Sequence, residues 1–288
     1  MIVSDAPARP DRDKGYDVEF LQPGANYRPK WGSRSDVFRR SSTCRLDISY
    51  GHGPRGFLDY FPAAGARHAP TVIFLHGGFW QKGDKSFYSF VAEPYVNRGV
   101  SCITLNYDFC PSVRLSAISR QVRAALRWIW DNGDRLGIDR NRLHISGHSA
   151  GAHLSAMMMV TDWPRYADGL PDKLLKSAVL ISGLYDLAPL LHEPANSQLR
   201  LDEDEAREQS PIRHPAATDA PQLIACGQQE SDVFHAQTSL YASTFSSPSR
   251  VVRHCLIEDC NHFDIMDVYA DPDSELFGKA LALMHLEQ

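Results

Sequence analysis

Apolar positions in this chain follow two patterns that alternate. From residue 71 onward, short unbroken runs such as Thr71-Val72-Ile73-Phe74-Leu75 are separated by stretches in which apolar residues recur every three or four positions. Unbroken runs of strand length suit strands buried on both faces, and the three-to-four spacing is that of a helix with one apolar stripe. The pattern predicts strands at 71–76, 101–107, 143–148, 177–182, 222–226 and 250–257. Ahead of them, 44–51 and 56–61 read as an antiparallel pair. The clearest helix covers about 115–132, where Leu115, Ile118, Val122, Ala125, Leu126 and Ile129 form one stripe. Arg120, Arg123 and Arg127 take its solvated face, and Gly133 and Gly137 follow as stop signals. A second helix is expected over 152–160. Strands alternating with helices predict an α/β fold with a mostly parallel central sheet and helices on both faces.

The remaining segments are less regular. Residues 1–40 are rich in Pro, Arg and Asp and read as an N-terminal arm with one short helix. Residues 184–220, which include the acidic Leu201-Asp202-Glu203-Asp204-Glu205, read as a small cap insertion holding one helix and placed to roof a site. At 288 residues the chain is long enough for one large α/β core, and a single domain over 1–288 is expected.

Composition narrows the partners. A net charge of −5 and a pI near 6.2 give no electrostatic ground for nucleic acid or an anionic membrane surface. No apolar run approaches the roughly 18–20 residues that span a bilayer. The first fifteen residues are polar and carry Asp5, Asp11 and Asp13, unlike a secretory leader. The six cysteines (44, 102, 110, 226, 255 and 260) form no C-x-x-C pair, and Cys102 and Cys226 fall inside predicted strands. A reduced, cytoplasmic protein is expected, and the sequence leaves a homodimer open.

Candidate chemistry centres on Gly147-His148-Ser149-Ala150-Gly151. It lies between a predicted strand and a predicted helix, where a G-x-S-x-G turn exposes a nucleophilic serine and leaves no room for neighbouring side chains. Ser149 needs a base that is itself oriented by a carboxylate. His262, after the last predicted strand, is the candidate base. Glu230, in Gly227-Gln228-Gln229-Glu230 after the seventh strand, is the candidate acid, with Asp232 as its competitor. Nucleophile, acid and histidine then follow one another along the chain in a known triad order. Gly77 and Gly78, after the 71–76 strand, and the amide of Ala150 are candidate oxyanion donors. His76 is expected to brace that loop. Phe79, Trp80 and Tyr185 are candidate substrate contacts, though aromatic residues there are more often core. His148 and His153 are five residues apart, off the spacing of a two-histidine metal site on a helix, and no metal or other cofactor is expected.

These motifs resemble the kynurenine formamidase (arylformamidase) branch of the α/β-hydrolases, near the hormone-sensitive-lipase-like esterases. The resemblance covers roughly residues 44–265. It rests on His76-Gly77-Gly78-Phe79-Trp80-Gln81, Ala92-Glu93-Pro94, Asn106-Tyr107-Asp108, the segment Gly147 to Leu154, Gly227-Gln228-Gln229-Glu230-Ser231 with Phe234 soon after, and Asn261-His262-Phe263. It implies a metal-free Ser149–Glu230–His262 triad, in which this chain has a glutamate where the family has an aspartate. It also implies an acyl-enzyme route and a small aryl amide such as N-formylkynurenine, an intermediate of tryptophan catabolism. A short-acyl carboxylesterase, or a hydrolase of carbamates or other amides, is the alternative. A ligand-binding relative without catalysis is the remote one.

Overall fold

The computed structural model describes residues 15–18, 27–51, 53–66 and 68–285. Eight strands form one sheet: β1 Arg45–Ser49, β2 Phe57–Phe61, β3 Ala69–Leu75, β4 Ser101–Leu105, β5 Ile138–His148, β6 Leu175–Ile181, β7 Gln222–Gly227 and β8 Val252–Ile257. Their order is β1-β2-β4-β3-β5-β6-β7-β8. The β1–β2 and β2–β4 pairs are antiparallel, and every pair from β4 through β3 to β8 is parallel. All eight expected strands are present, with ends shifted by a few residues. The unbroken apolar runs are explained by position: β3, β4 and β7 are buried at every residue, whereas the edge strand β8 is mostly half-buried or exposed. One apolar cluster packs on each face of the sheet.

The helix Leu115–Leu136 buries the whole predicted stripe and runs four residues beyond the expected end. Gly133 does not stop it. That glycine sits inside the helix against β5, where a Cβ would come within 3.4 Å of the Arg140 Cβ. Gly137, at φ 76°, closes the helix in the left-handed conformation that glycine adopts without strain.

The arm contains more structure than its composition suggests. Tyr27–Ser41 is a helix of fifteen residues that buries Trp31, Ser35 and Phe38. The Ser35 hydroxyl donates to the Phe87 carbonyl (2.9 Å) and accepts from the Phe90 amide (3.1 Å), which latches the helix onto the turn Lys85–Val91. The rest of the expected arm, 1–14 and 19–26, lies outside the described residues. Within 184–220, where one helix is expected, there are two short α-helices, Asn196–Leu199 and Glu203–Glu208, and two 3-10 turns, Ala188–His192 and Pro211–Arg213. Pro194 bars extension of Ala188–His192 and Pro211 that of Glu203–Glu208, and Arg200, at φ 55°, ends Asn196–Leu199. Among the described residues, no helix is long and apolar enough to cross a membrane.

Parallel pairing lines up the carboxyl ends of five neighbouring strands. Leu75 pairs with Gly147, His148 with Ile181, Ile181 with Ala225, and Gly227 with Ile257. The loops that follow carry His76–Trp80, Ser149, Ser182, Glu230 and His262. That edge is where open α/β sheets bind ligands.

Candidate active site

Ser149 stands between β5 and the helix Ala150–Met159, at φ 56° and ψ −119°. A non-glycine residue rarely adopts this conformation, and the surroundings hold it there. Its amide donates to the Ile181 carbonyl at 2.8 Å. The flanking glycines are required by space. A Cβ on Gly147 would lie 2.3 Å from the Gly151 backbone, and one on Gly151 would lie 2.0 Å from the Leu75 carbonyl oxygen. The turn thus projects the Ser149 side chain from the sheet edge with the Ala150 amide at the positive end of a ten-residue helix.

His262 and Ser149 line the same cavity, of about 680 Å³. The His262 Nδ1 donates to Glu230 Oε2 at 2.7 Å, which fixes the orientation of the ring. The other carboxylate oxygen, Oε1, accepts from the Ser182 hydroxyl (2.5 Å) and from the Gly227 amide (2.7 Å). Burial alone would push the Glu230 carboxyl toward its protonated form. The charge of His262 and the hydrogen bonds from His262, Ser182 and Gly227 outweigh it and hold the group below the usual glutamate range. Asp232, the competitor, is exposed at the start of the helix Asp232–Phe245. It is Glu230 whose carboxylate meets the imidazole.

The loop after β3 closes against Ser149. A Cβ on Gly77 would come within 3.2 Å of the Ser149 Cβ. Gly78, at φ 129°, is held under the Lys82 carbonyl, which a Cβ would meet at 1.9 Å. Braces surround the loop: the His76 Nδ1 contacts the Gly77 carbonyl (2.7 Å), and its ring stacks on Tyr107 at 4.5 Å. The Tyr107 hydroxyl donates to the His76 carbonyl (2.6 Å). Arg55 donates to the carbonyls of Tyr107 and Gly83 (3.0 and 2.9 Å). His76 therefore sits behind the loop, as expected of a brace.

The three aromatic candidates separate. Phe79 lines the cavity. Trp80 does not: it is fully buried, and its indole N–H donates to His153 Nδ1 at 3.2 Å. Tyr185 is also fully buried and packs on Tyr241 at 4.4 Å between ring centroids. Trp80 and Tyr185 thus belong to the core and are corrected from substrate contacts to structural residues; at φ 56° the Trp80 backbone turns away from the loop's path and carries the indole inward.

Other residues, which the sequence reading did not assign to the wall, form it. Trp31 comes from the N-terminal helix, Phe87 and Tyr88 from the turn behind the 76–80 loop, and Phe234 and Phe263 from beside His262. Trp31, Ser35 and Phe38 are spaced i, i+4, i+7, a helical stripe that the basic residues around it obscure. From 184–220, Glu193, Pro194 and Ala195 reach the cavity. Charged groups of both signs stand on the wall: Arg28 and Lys82, and Asp17 and Glu193.

The flanking histidines are engaged separately. His148 Nε2 donates to the His262 carbonyl (2.8 Å), and His153 Nε2 to the Gln209 carbonyl (2.6 Å). Burial pushes both imidazoles down, His148 to about 3 and His153 to about 4, so both are neutral near pH 7. Among the described residues no group of three His, Cys, Asp or Glu side chains is arranged to hold a metal ion.

Known proteins resemble this chain in sequence and in fold. The BD-FAE family model matches residues 58–183. A kynurenine formamidase of Salmo salar is 32% identical over 83% of this chain and 81% of its own length, and that of Danio rerio is 31% identical over the same shares. A crystal structure from Silicibacter sp. superposes with a TM-score of 0.82 at 30% identity, covering 93% of this chain and 98% of the other. An esterase of Pyrobaculum calidifontis, 18% identical, superposes with a TM-score of 0.72 over 94% of each chain and shares the fold. With a kynurenine formamidase more than 30% identical across four-fifths of its length, this chain belongs to the kynurenine formamidase family of α/β-hydrolases.

Proposed function

We propose that the protein is a metal-independent serine hydrolase that cleaves a small N-acyl aryl amide of the N-formylkynurenine type through an acyl-enzyme. The observation that carries this reading is the buried His262–Glu230 pair, joined at 2.7 Å, facing the same aromatic-walled cavity as Ser149. In the reaction, Ser149 Oγ attacks the amide carbonyl while His262 Nε2 takes its proton. The tetrahedral oxyanion is met by backbone amides, Gly78 and Ala150 first and Gly77 beside them. The imidazolium is stabilised by the Glu230 carboxylate and then protonates the departing aryl amine. Water, activated by the same imidazole, hydrolyses the acyl-Ser149 ester and releases formate.

Three features support an aryl amide with a charged tail. The rings of Trp31, Phe79, Phe87, Tyr88, Phe234 and Phe263 offer an apolar slot for an aromatic leaving group. The backbone at Gly77 runs so close to Ser149 that an added Cβ would lie 3.2 Å from the Ser149 Cβ, and a small acyl group suits so near an approach. Arg28 and Lys82 on one hand, Asp17 and Glu193 on the other, give the wall both charges that an α-amino acid carries.

A panel with purified protein tests the reading: formyl, acetyl and butyryl anilides beside the corresponding p-nitrophenyl esters. kcat/KM should fall from formyl to butyryl by roughly tenfold or more per refused methylene. Butyryl esters turning over faster than every formyl amide would replace this reading with a short-acyl carboxylesterase.

A further inference from the structure

We propose that Ser182, in the turn after β6, is a positioning residue for the triad, and that its hydroxyl enables a glutamate to serve as the acid. The proposal rests on Glu230 holding that role. Ser182 is fully buried, and its hydroxyl meets Glu230 Oε1 at 2.5 Å. The Gly227 amide takes the same oxygen at 2.7 Å. One oxygen is thereby pinned from two neighbouring strands, and Oε2 is directed at His262 Nδ1. A glutamate carries one more rotatable bond than an aspartate, so without an anchor its carboxylate would sample positions away from the imidazole. Two donors on Oε1 remove that freedom.

The backbone marks the position as well. Ser182 sits at φ 53°, a conformation that costs a non-glycine residue energy and persists where the surroundings impose it. Its amide donates to the Ala225 carbonyl at 2.8 Å, so the turn is tied to β7, the strand that leads into Glu230. A serine is needed here for its hydroxyl, since glycine would fit the backbone with less strain.

That contrast supplies the test. Ser182→Ala and Ser182→Gly both lose the hydroxyl, but the glycine relieves the left-handed backbone, so it should melt at or above the alanine variant. If the hydroxyl positions the acid, both variants should lose kcat by roughly ten- to a hundredfold with KM unchanged, the range for a lost hydrogen bond to a charged group. The acid limb of kcat/KM should also move to higher pH, because a carboxylate with one donor fewer holds a proton more readily. A structural role would instead make activity follow stability, with Ser182→Gly recovering it, and would leave the pH profile in place. Either that pattern or undiminished kcat in both variants overturns the proposal. Glu230→Gln measured alongside separates the two layers. If it too keeps its activity, the triad reading itself fails; if it alone is inactive, only the role of Ser182 fails.

Discussion

Three hydrogen bonds converge on the Glu230 carboxylate, from His262, Ser182 and the Gly227 amide. Without them, burial would favour the neutral acid, which cannot stabilise an imidazolium. Glu230→Gln preserves shape and removes the charge, so turnover should fall by about 10²- to 10⁴-fold. Asp232→Asn, on the exposed start of the next helix, should leave turnover close to wild type. Steady-state kinetics on one formyl anilide decide between them, and the opposite ranking would transfer the acid role to Asp232. Ser149→Ala should lose on the order of 10³-fold or more in kcat without loss of folding. Trp80→Ala makes a contrasting case. The indole is fully buried and bonded to His153, so its removal should cost about 3–5 kcal/mol of stability, read by urea unfolding. It should not shift the preference between aryl amides and alkyl esters, whereas Phe79→Ala, half-buried on the cavity wall, should weaken aryl amides selectively.

At the scale of elements, the site is a set of loops after adjacent parallel strands plus a wall brought from the N-terminus. The first part was legible in the sequence. Unbroken apolar runs place the strands, and chemistry-bearing residues directly after those runs must gather at one sheet edge. Gly147, Gly151, Gly77 and Gly78 mark approaches that admit no Cβ. The second part was hidden for physical reasons. Tyr27–Ser41 buries one narrow stripe and exposes the rest, so its charges mask its period. Whether Trp80 or Phe79 faces the ligand depends on two consecutive positive φ angles, and no side-chain pattern reports them. Ser182 carried no motif; only the register of β6 with β7 brings its hydroxyl to Glu230. The N-terminal helix also places Arg28 on the wall, so Arg28→Gln should raise KM for a substrate with an α-carboxylate, such as N-formylkynurenine. KM for formanilide, which has no carboxylate, should stay the same. Equal changes for both would deny Arg28 a part in reading the tail.

For the whole molecule, three buried histidines make folding depend on pH. Burial holds His76 near 4, His153 near 4 and His148 near 3, all below the ordinary imidazole value of 6.5. Below about pH 6.5 the unfolded chain binds protons at these positions while the folded chain does not. Stability should therefore fall as the pH drops from about 6.5 toward 4, and return as it rises. Glu230, depressed in the folded state, acts in the same direction: its contribution is present above the unfolded carboxyl value and is lost as pH falls through the folded one. Urea midpoints measured across this range should decline steadily toward acid, and a flat profile would mean that these imidazoles are solvated in the folded protein. The same buried histidines form the framework of the site. His76 braces the 76–80 loop, His148 holds the His262 carbonyl, and His153 ties Trp80 to Gln209.

The proposed reaction begins with acylation of Ser149. Treating the folded protein with a fluorophosphonate and mapping the adduct by peptide mass spectrometry tests it most directly. One adduct is expected, on Ser149, formed more slowly in Glu230→Gln and absent in Ser149→Ala, with labelling slowed by excess formanilide substrate. A stoichiometric adduct on any other residue, or an active enzyme that leaves Ser149 unlabelled, would contradict it.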